Sequence, residues 1–144
     1  MIILDTNVVS EGMKPVSAQS VLAWMAAQPR LDLFTTAITQ AEILSGIELL
    51  PGGKRKDSLA AAAERLFDEH FRGSILTFDD HAAREFAKVS AIRKSAGRPI
   101  SEFDAMIAAI ARVHRAALAT RNTGDFEHCG IRLVDPWTAR ADVH

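Results

Sequence analysis

The sequence predicts an α/β protein, a three-layer α/β/α sandwich around a central, mostly parallel sheet of five strands. Two observations favour this class. Five short apolar runs are bounded by turn or charged residues and mostly do not alternate with polar positions, which is typical of strands covered on both faces. Segments with helical spacing of apolar residues fill the gaps between the runs, and strands that alternate with helices indicate a parallel sheet.

The chain opens with a predicted strand, a helix and a second strand. Residues 2–4 are the first apolar run. Residues 17–27 follow Pro15 and repeat apolar side chains at helical spacing, so they are predicted as a helix. Residues 33–36 form the second apolar run and the second predicted strand.

Two helices and a strand are predicted for the middle of the chain. Residues 39–50 have a helical pattern that stops at Pro51-Gly52-Gly53, a combination that ends helices. Residues 59–71 are rich in alanine, the strongest helix former. Residues 75–78 are the third apolar run and the third predicted strand.

The last part of the chain holds two helices and two strands. Residues 81–96 form a predicted helix that ends before Gly97. Residues 102–114 are apolar almost all round, which indicates a deeply buried helix. Residues 117–120 and 131–134 are the fourth and fifth predicted strands.

Composition limits the classes of protein that the chain can form. Its 144 residues predict a single domain over 1–144. A net charge of −1 argues against wholesale electrostatic binding to nucleic acid, although it allows a local basic surface. The single cysteine, Cys129, excludes an internal disulfide and favours a reducing compartment. Asp5 interrupts the start too early for a signal peptide, and the uncharged stretch 105–111 is far shorter than the roughly 20 residues of a membrane helix. We therefore expect a cytoplasmic protein without membrane contact.

Four acidic residues fall beside predicted strand exits or helix starts: Asp5, Glu42, Asp104 and Asp125. In open α/β sheets, sites form beyond the carboxyl ends of the strands. Asp5 and Asp125 can meet there if the first and fourth strands are neighbours. A buried carboxylate costs free energy unless it is paired or binds a cation. Several such acids together make an oxygen-rich site suited to Mg²⁺ or Mn²⁺.

Each acid also has a structural interpretation. Thr39 to Glu42 has the form of a capping box, and Ser101 to Asp104 is similar with Asp in place of Glu. Asp5 could be a polar strand exit, and Asp125 a turn residue. These four separate interpretations leave the shared position of the acids unexplained. A fifth acid, Asp79, is predicted to be the N-cap of the following helix.

Four motifs in order give the chain a specific resemblance. They are Ile3-Leu4-Asp5-Thr6-Asn7-Val8, Thr39-Gln40-Ala41-Glu42-Ile43 followed by Gly46-Ile47, Gly97-Arg98-Pro99-Ile100 followed by Asp104-Ala105-Met106-Ile107-Ala108-Ala109, and Leu118 to Phe126 followed by Asp135-Pro136-Trp137. Together they resemble PIN-domain ribonucleases, and closely the VapC-type toxins of bacterial toxin–antitoxin pairs. The similarity covers nearly the whole chain, with Asp135 standing where the family pattern leads us to expect Asn.

The resemblance implies a PIN-like fold and a Mg²⁺- or Mn²⁺-dependent endoribonuclease that hydrolyses RNA. It makes Asp5, Glu42, Asp104 and Asp125 the catalytic, metal-binding acids. It also makes four neighbours the polar supports that orient those carboxylates: Thr6, Asn7, Thr120 and Asn122. Four basic residues are candidates for RNA contact: Arg93, Lys94, Arg98 and Arg121.

Partners follow from the same resemblance and from surface composition. A cognate antitoxin protein is expected to restrain the ribonuclease. Helices 39–50 and 59–71 offer much Leu and Ala surface, which favours a homodimer.

Two other functions stay open: a PIN nuclease that processes RNA without being a toxin, and a non-catalytic module whose acids attract a basic partner segment. The sequence contains neither a phosphate-binding P-loop nor a G-x-S-x-G nucleophile motif.

Overall fold

The computed structural model describes residues 1–139, which form a five-stranded, all-parallel sheet with helices on both faces. The strands are β1 Ile2–Leu4, β2 Leu33–Thr36, β3 Ile75–Leu76, β4 Ala117–Ala119 and β5 Leu133–Val134. Their order across the sheet is β3-β2-β1-β4-β5. The predicted fold class is therefore confirmed. Residues 140–144, which the predicted domain included, lie outside the described residues.

In the described part of the chain, six α-helices connect and cover the strands: α1 Thr6–Gly12, α2 Gln19–Ala27, α3 Ala37–Glu48, α4 Lys54–Arg65, α5 Asp80–Ser95 and α6 Glu102–His114. A π-helical turn, Leu66–His70, continues α4, and short 3₁₀ turns cover Arg30–Asp32 and Thr123–Phe126. None of the helices within residues 1–139 combines the length and apolar character that a membrane crossing requires.

Adjacent residues of one strand enter two different cores. Ile3 packs with α5 and α6 on one face of the sheet, whereas Leu4 packs with α1 to α4 on the other. Side chains of a strand alternate between its faces, so this division is what a sheet buried on both sides requires. Both residues are fully buried.

The order of the strands places a topological switch point between β1 and β4. Ile3 is level with Leu118, and Leu4 with Ala119, so the two strands end side by side. The Asp5 amide continues the ladder by donating to the Ala119 carbonyl at 2.9 Å. Residues that follow β1 and β4 are consequently neighbours at the carboxyl edge of the sheet, where sites form in open α/β folds.

Several boundaries differ from the sequence prediction. The structure contains a helix, α1, where the sequence indicated only a polar strand exit after Asp5. Helix α3 begins at Ala37 rather than 39, and α4 at Lys54 rather than 59. The predicted strands 75–78 and 131–134 are each reduced to two paired residues. Asp79 is the predicted N-cap of α5, since its carboxylate accepts the Ala82 amide hydrogen at 2.9 Å.

Candidate metal centre

Asp5 lies at the junction of β1 and α1. As the N-cap of α1, its Oδ1 accepts the Thr6 amide hydrogen at 2.8 Å. Its Oδ2 accepts the Thr120 hydroxyl hydrogen at 2.8 Å. The residue is only 5% exposed. Asp5 is therefore fixed by one bond from its own helix and one from the neighbouring strand exit.

Glu42 faces Asp5 from α3, and its capping interpretation is wrong. The N-cap of α3 is Thr36, whose hydroxyl accepts the Thr39 amide hydrogen at 3.1 Å. Glu42 therefore lies beyond the first turn of α3 and is not part of its N-terminal cap. Its Oε1 instead accepts the Thr6 hydroxyl hydrogen at 2.9 Å, and Thr39 Oγ1 lies 3.1 Å from the same Thr6 oxygen.

Asp104 enters the site from the first turn of α6. Ser101 is the N-cap of this helix and accepts the Asp104 amide hydrogen at 3.2 Å. The predicted cap is therefore present at Ser101. It uses the backbone amide of Asp104, and the carboxylate of this residue is half-buried.

Asp125 is the most exposed of the four acids and lies in the 3₁₀ turn after β4. Its backbone is held by Arg93, whose Nη1 donates to the carbonyls of Asp125 at 2.6 Å and Glu127 at 2.8 Å. Arg93 Nε also donates to the Arg98 carbonyl at 2.6 Å. Arg93 is 4% exposed, so its prediction as an RNA contact is wrong. It is a buried anchor for the turns that surround Asp104 and Asp125.

The pKa values show that these carboxylates lie in one electrostatic field. Burial raises the pKa of Asp5 to about 6, against the hydrogen bonds from Thr120 and Thr6, and the charges of Asp104 and Glu42 raise it further. Burial also raises the pKa of Glu42, with a contribution from the charge of Asp104. The pKa of Asp104 rises through burial and the charge of Asp125. The charges of Glu42, Asp104 and Asp125 thus each make ionisation of a neighbouring acid more costly.

The donor set fits a hard divalent cation such as Mg²⁺ or Mn²⁺. Every candidate ligand is a carboxylate oxygen, and no ion pair among residues 1–139 neutralises any of the four acids. Within those residues, no three acidic, His or Cys side chains converge tightly enough to enclose an ion alone. Mg²⁺ does not need such a cage, because it usually keeps several waters and binds one or two carboxylates. A cation would also relieve the repulsion between the acids.

The predicted polar supports form a network around Asp5. Thr120 Oγ1 donates to Asp5 and accepts from Asn7 Nδ2 at 3.3 Å. Asn7 Oδ1 in turn accepts the Arg121 amide hydrogen at 3.2 Å. Asn122 reaches the network through its backbone amide, which donates to Thr120 Oγ1 at 3.1 Å, and not through the side chain that the sequence suggested. Thr120 is the centre of this network.

Three other predicted RNA contacts remain at the surface. Lys94 is exposed at the end of α5, and Arg98 pairs with Glu127. Arg121 is exposed, with its guanidinium carbon 4.9 Å from the ring centroid of Trp137.

The sequence does carry a signal for the buried position of Arg93. Residues 82, 86, 89 and 93 recur at helical spacing, and Ala82, Val89 and Arg93 are all buried in α5. Arg93 therefore continues the apolar face of its helix. A charged residue at such a position indicates buried hydrogen-bond acceptors rather than contact with solvent.

Comparisons with known proteins agree with the fold and the motifs. The family model of the PIN domain matches residues 2–130. The toxin FitB of Neisseria gonorrhoeae is 38% identical over 137 residues, which cover 95% of this chain and 99% of that protein. The VapC ribonuclease Y4jK of Sinorhizobium fredii is 39% identical, covering 95% and 98%. A structure of FitAB bound to an IR36 DNA fragment matches with a TM-score of 0.90 at 37% identity, covering 97% of this chain and 98% of the other.

Proposed function

The chain belongs to the PIN domain family, and on that premise we propose that it is a Mg²⁺- or Mn²⁺-dependent endoribonuclease and the toxin of a toxin–antitoxin pair. The observation that carries this proposal is the group of Asp5, Glu42, Asp104 and Asp125 at the switch point. The charges of Glu42, Asp104 and Asp125 contribute to the raised pKa values of Asp5, Glu42 and Asp104, and no cationic side chain within residues 1–139 forms an ion pair with the four acids. The similarity to the VapC ribonuclease Y4jK and the toxin FitB supports the choice of reaction and role.

The reaction is hydrolysis of an RNA phosphodiester bond. The oxygen of a water molecule bonds to phosphorus, and the bond from phosphorus to the 3′ oxygen breaks, which leaves a 5′-phosphate and a 3′-hydroxyl. A bound divalent ion supplies Lewis-acid chemistry, because it lowers the pKa of water and offsets charge on the phosphate. The side chains of the protein would hold the ion and position the RNA.

Asp5, Glu42 and Asp104 would hold the ion, and Asp125 would complete the acidic surface from its exposed turn. Thr120 and Thr6 each donate a hydrogen bond to a carboxylate, so Asp5 and Glu42 are oriented before a ligand arrives. Burial of Asp5 lowers the local dielectric and strengthens its attraction to a cation.

Basic side chains near this centre would position the RNA. Arg121 follows Thr120 directly, its amide is held by Asn7, and its guanidinium stacks on Trp137. Its backbone is thereby fixed next to Thr120, and its exposed guanidinium is available to a phosphate of the substrate. Lys94 and Arg98 are exposed candidates on the α5 side of the centre.

We infer an antitoxin partner from an apolar groove and from the relatives. The groove has a volume of about 480 Å³, and its lining includes Leu22 and Leu31, which are 49% and 91% exposed. Apolar side chains this exposed favour cover by a partner protein. The matched FitAB structure supports a protein complex of this kind.

For the proposed homodimer, α3 and its end offer Leu44 and Leu49, which are 41% and 84% exposed. The proposed location is the cytoplasm.

The enzymatic proposal is tested by incubating the protein with structured RNA in Mg²⁺ or Mn²⁺ and then in EDTA. We expect cleavage with metal and none with the chelator. Asp5→Asn should abolish cleavage, whereas Asp68→Asn, an exposed acid on the π-helical turn, should retain it. Cleavage that persists unchanged in EDTA would contradict the mechanism.

The toxin role needs a separate test in cells. Expression of the wild-type protein should arrest growth, and co-expression of the gene next to it should restore growth. Harmless high-level expression of a protein that cleaves RNA in vitro would favour a PIN nuclease that processes RNA without being a toxin. Absence of cleavage with every metal would favour the non-catalytic binding module.

A further inference from the structure

A groove lined by arginines lies at the edge of the sheet opposite the acidic centre. It has a volume of about 430 Å³, and Arg112, Arg115, Arg132 and Glu85 contribute to its lining. Arg115 stands two residues before β4, and Arg132 immediately before β5. Because all strands are parallel, their beginnings share one edge, whereas Asp5 and Thr120 follow strand ends at the other edge.

Arg112 forms a fixed wall of this groove. Its Nε donates to Glu85 Oε2 at 2.8 Å, and its Nη1 donates to the Cys129 carbonyl at 2.9 Å. A Cβ atom on Gly130 would lie 2.5 Å from that Nη1, so a larger residue here would displace the Arg112 guanidinium, and the φ of +73° also favours glycine. A guanidinium has five N–H donors, and these two bonds leave others available.

Arg115 and Arg132 supply the remaining charge. Both are exposed, and neither forms an ion pair with any other residue in the described part of the chain. Three arginines therefore line the groove with one carboxylate, that of Glu85. The carbonyl end of α6 attracts cations and accounts for Arg112 and Arg115. It does not account for Arg132, which comes from the segment before β5.

We propose that this groove binds the phosphate backbone of the RNA substrate at a distance from the cleaved bond; this rests on the proposed ribonuclease function. The guanidinium group matches phosphate in charge and in its forked donors. The register of β4 and β5 sets Arg132 beside Ala117, two residues after Arg115, and both arginines line the same groove, so they can act on one stretch of backbone. A net charge of −1 for the chain makes such a local basic surface the means of attracting RNA.

The consequence concerns the size of the substrate. The groove and the acidic centre are at opposite edges of the sheet, and Asp104 and Arg115 stand near the two ends of α6, about 16 Å apart along its axis. An RNA of several nucleotides can contact both, whereas a mononucleotide cannot. The groove would thus favour long RNA through contacts that carry no sequence information.

The test measures binding of a fluorescent RNA hairpin by anisotropy between 50 and 200 mM salt, in an Asp5→Asn background that does not cleave. Each lost phosphate contact lowers the slope of log K against log salt by about 0.7–0.9. Arg115→Gln with Arg132→Gln should therefore lower the slope by about 1.5 and weaken binding by roughly tenfold or more near 0.1 M salt.

The matched control is Arg65→Gln with Arg84→Gln, which removes the same charge from exposed positions on α4 and α5. We expect this pair to keep the slope of the Asp5→Asn protein. Thermal melts of both pairs check that each protein is folded. The proposal is overturned if the two pairs have equal slopes, or if the groove pair loses affinity for the antitoxin and not for RNA. Metal-dependent cleavage by the wild type in either case leaves the proposed function intact. A protein that neither binds nor cleaves RNA contradicts both.

Discussion

The acidic centre has two halves that are held in different ways. Asp5 and Glu42 accept hydrogen bonds from hydroxyl groups on other elements, Thr120 after β4 and Thr6 in α1. For Asp104 and Asp125 the hydrogen bonds hold the backbone instead: Ser101 accepts the Asp104 amide hydrogen, and Arg93 of α5 donates to the Asp125 carbonyl. Asp5 is buried, whereas Asp125 is exposed.

This difference indicates which half is formed before metal arrives. The carboxylates of the first half are oriented by contacts that join separate parts of the chain, so the fold itself sets their position. The second half has an exposed member whose carboxylate can adjust to the ligand. Substitutions should consequently have unequal effects on catalysis in the two halves, although each removes one charge.

The largest expected effect is on the rate of RNA cleavage. Asp5→Asn should lower kcat by roughly 10³-fold, because it removes a buried, oriented charge at the reacting centre. Asp125→Asn should lower it by roughly tenfold, since water can replace an exposed ligand. Single-turnover cleavage by both variants measures the contrast. Equal losses of kcat in the two variants would contradict the inference that Asp5 is more firmly oriented than Asp125.

The next effect concerns the anchor of the second half. Arg93→Met should lower the free energy of unfolding by about 3 kcal/mol, because the carbonyls of Arg98, Asp125 and Glu127 lose the charged donor that joins them to α5. Lys94→Met, on the exposed side of the same helix, should change it by less than about 0.5 kcal/mol. Urea denaturation compares the two variants, and similar stabilities would contradict the anchoring role.

The first half should give the metal-free protein a distinctive pH dependence. The pKa of Asp5 is raised from 3.8 to about 6 in the fold, so the native state binds more protons than the unfolded state between these values. Stability in EDTA should be higher at pH 5 than at pH 7 and should be lost as pH rises through about 6. The full shift corresponds to about 3 kcal/mol. Metal affinity should instead rise from pH 5 to pH 7, because the ion binds the ionised carboxylate.

Thermal melts from pH 4.5 to 8 measure this effect, with Asp5→Asn as the control that should lose most of it. The acids with lowered pKa values, Glu11, Asp79 and Glu85, reduce stability only as pH falls below their ordinary range. They do not interfere between pH 5 and 7. A wild-type melting temperature that rises from pH 5 to 7 in EDTA would contradict the account of Asp5.

The two halves also differ in what the sequence could predict. The five strands, two of them predicted too long, and the position of Asp5 at the exit of β1 were predictable because apolar runs and strand exits are visible in the chain. Helix α1 was missed because Val8 and Val9 have weak helix propensity, and burial of both outweighs it. The N-cap of α3 was misplaced because Thr36 and Thr39 are both plausible caps, and only the fold selects between them.

For the second half, local capping at Ser101 was predictable, and the role of Arg93 was not recognised. Its acceptors include the carbonyls of Asp125 and Glu127, more than 30 residues away along the chain. A charged side chain is most often exposed, so composition gave the wrong expectation. The resemblance to PIN-domain toxins supplied the correct family and could not supply these contacts.

The most direct test of the metal centre is a set of thermal melts of wild type and Asp104→Asn, each in EDTA and in Mn²⁺. At about 100 times its dissociation constant, an ion that binds only the native state adds about 2.7 kcal/mol. For a domain of this size the melting temperature should rise by roughly 5–15 °C. Glu102→Gln, an exposed acid in the same helical turn, is the control that should keep the full rise.

We expect Asp104→Asn to be as stable as wild type in EDTA, or more stable, because the repulsion that raises the pKa of Asp5 and Asp104 is reduced. In Mn²⁺ the variant should lose most of the rise in melting temperature. A variant that is less stable than wild type in EDTA and keeps the full Mn²⁺ rise would show that Asp104 is a structural residue and that the acids do not form a metal centre.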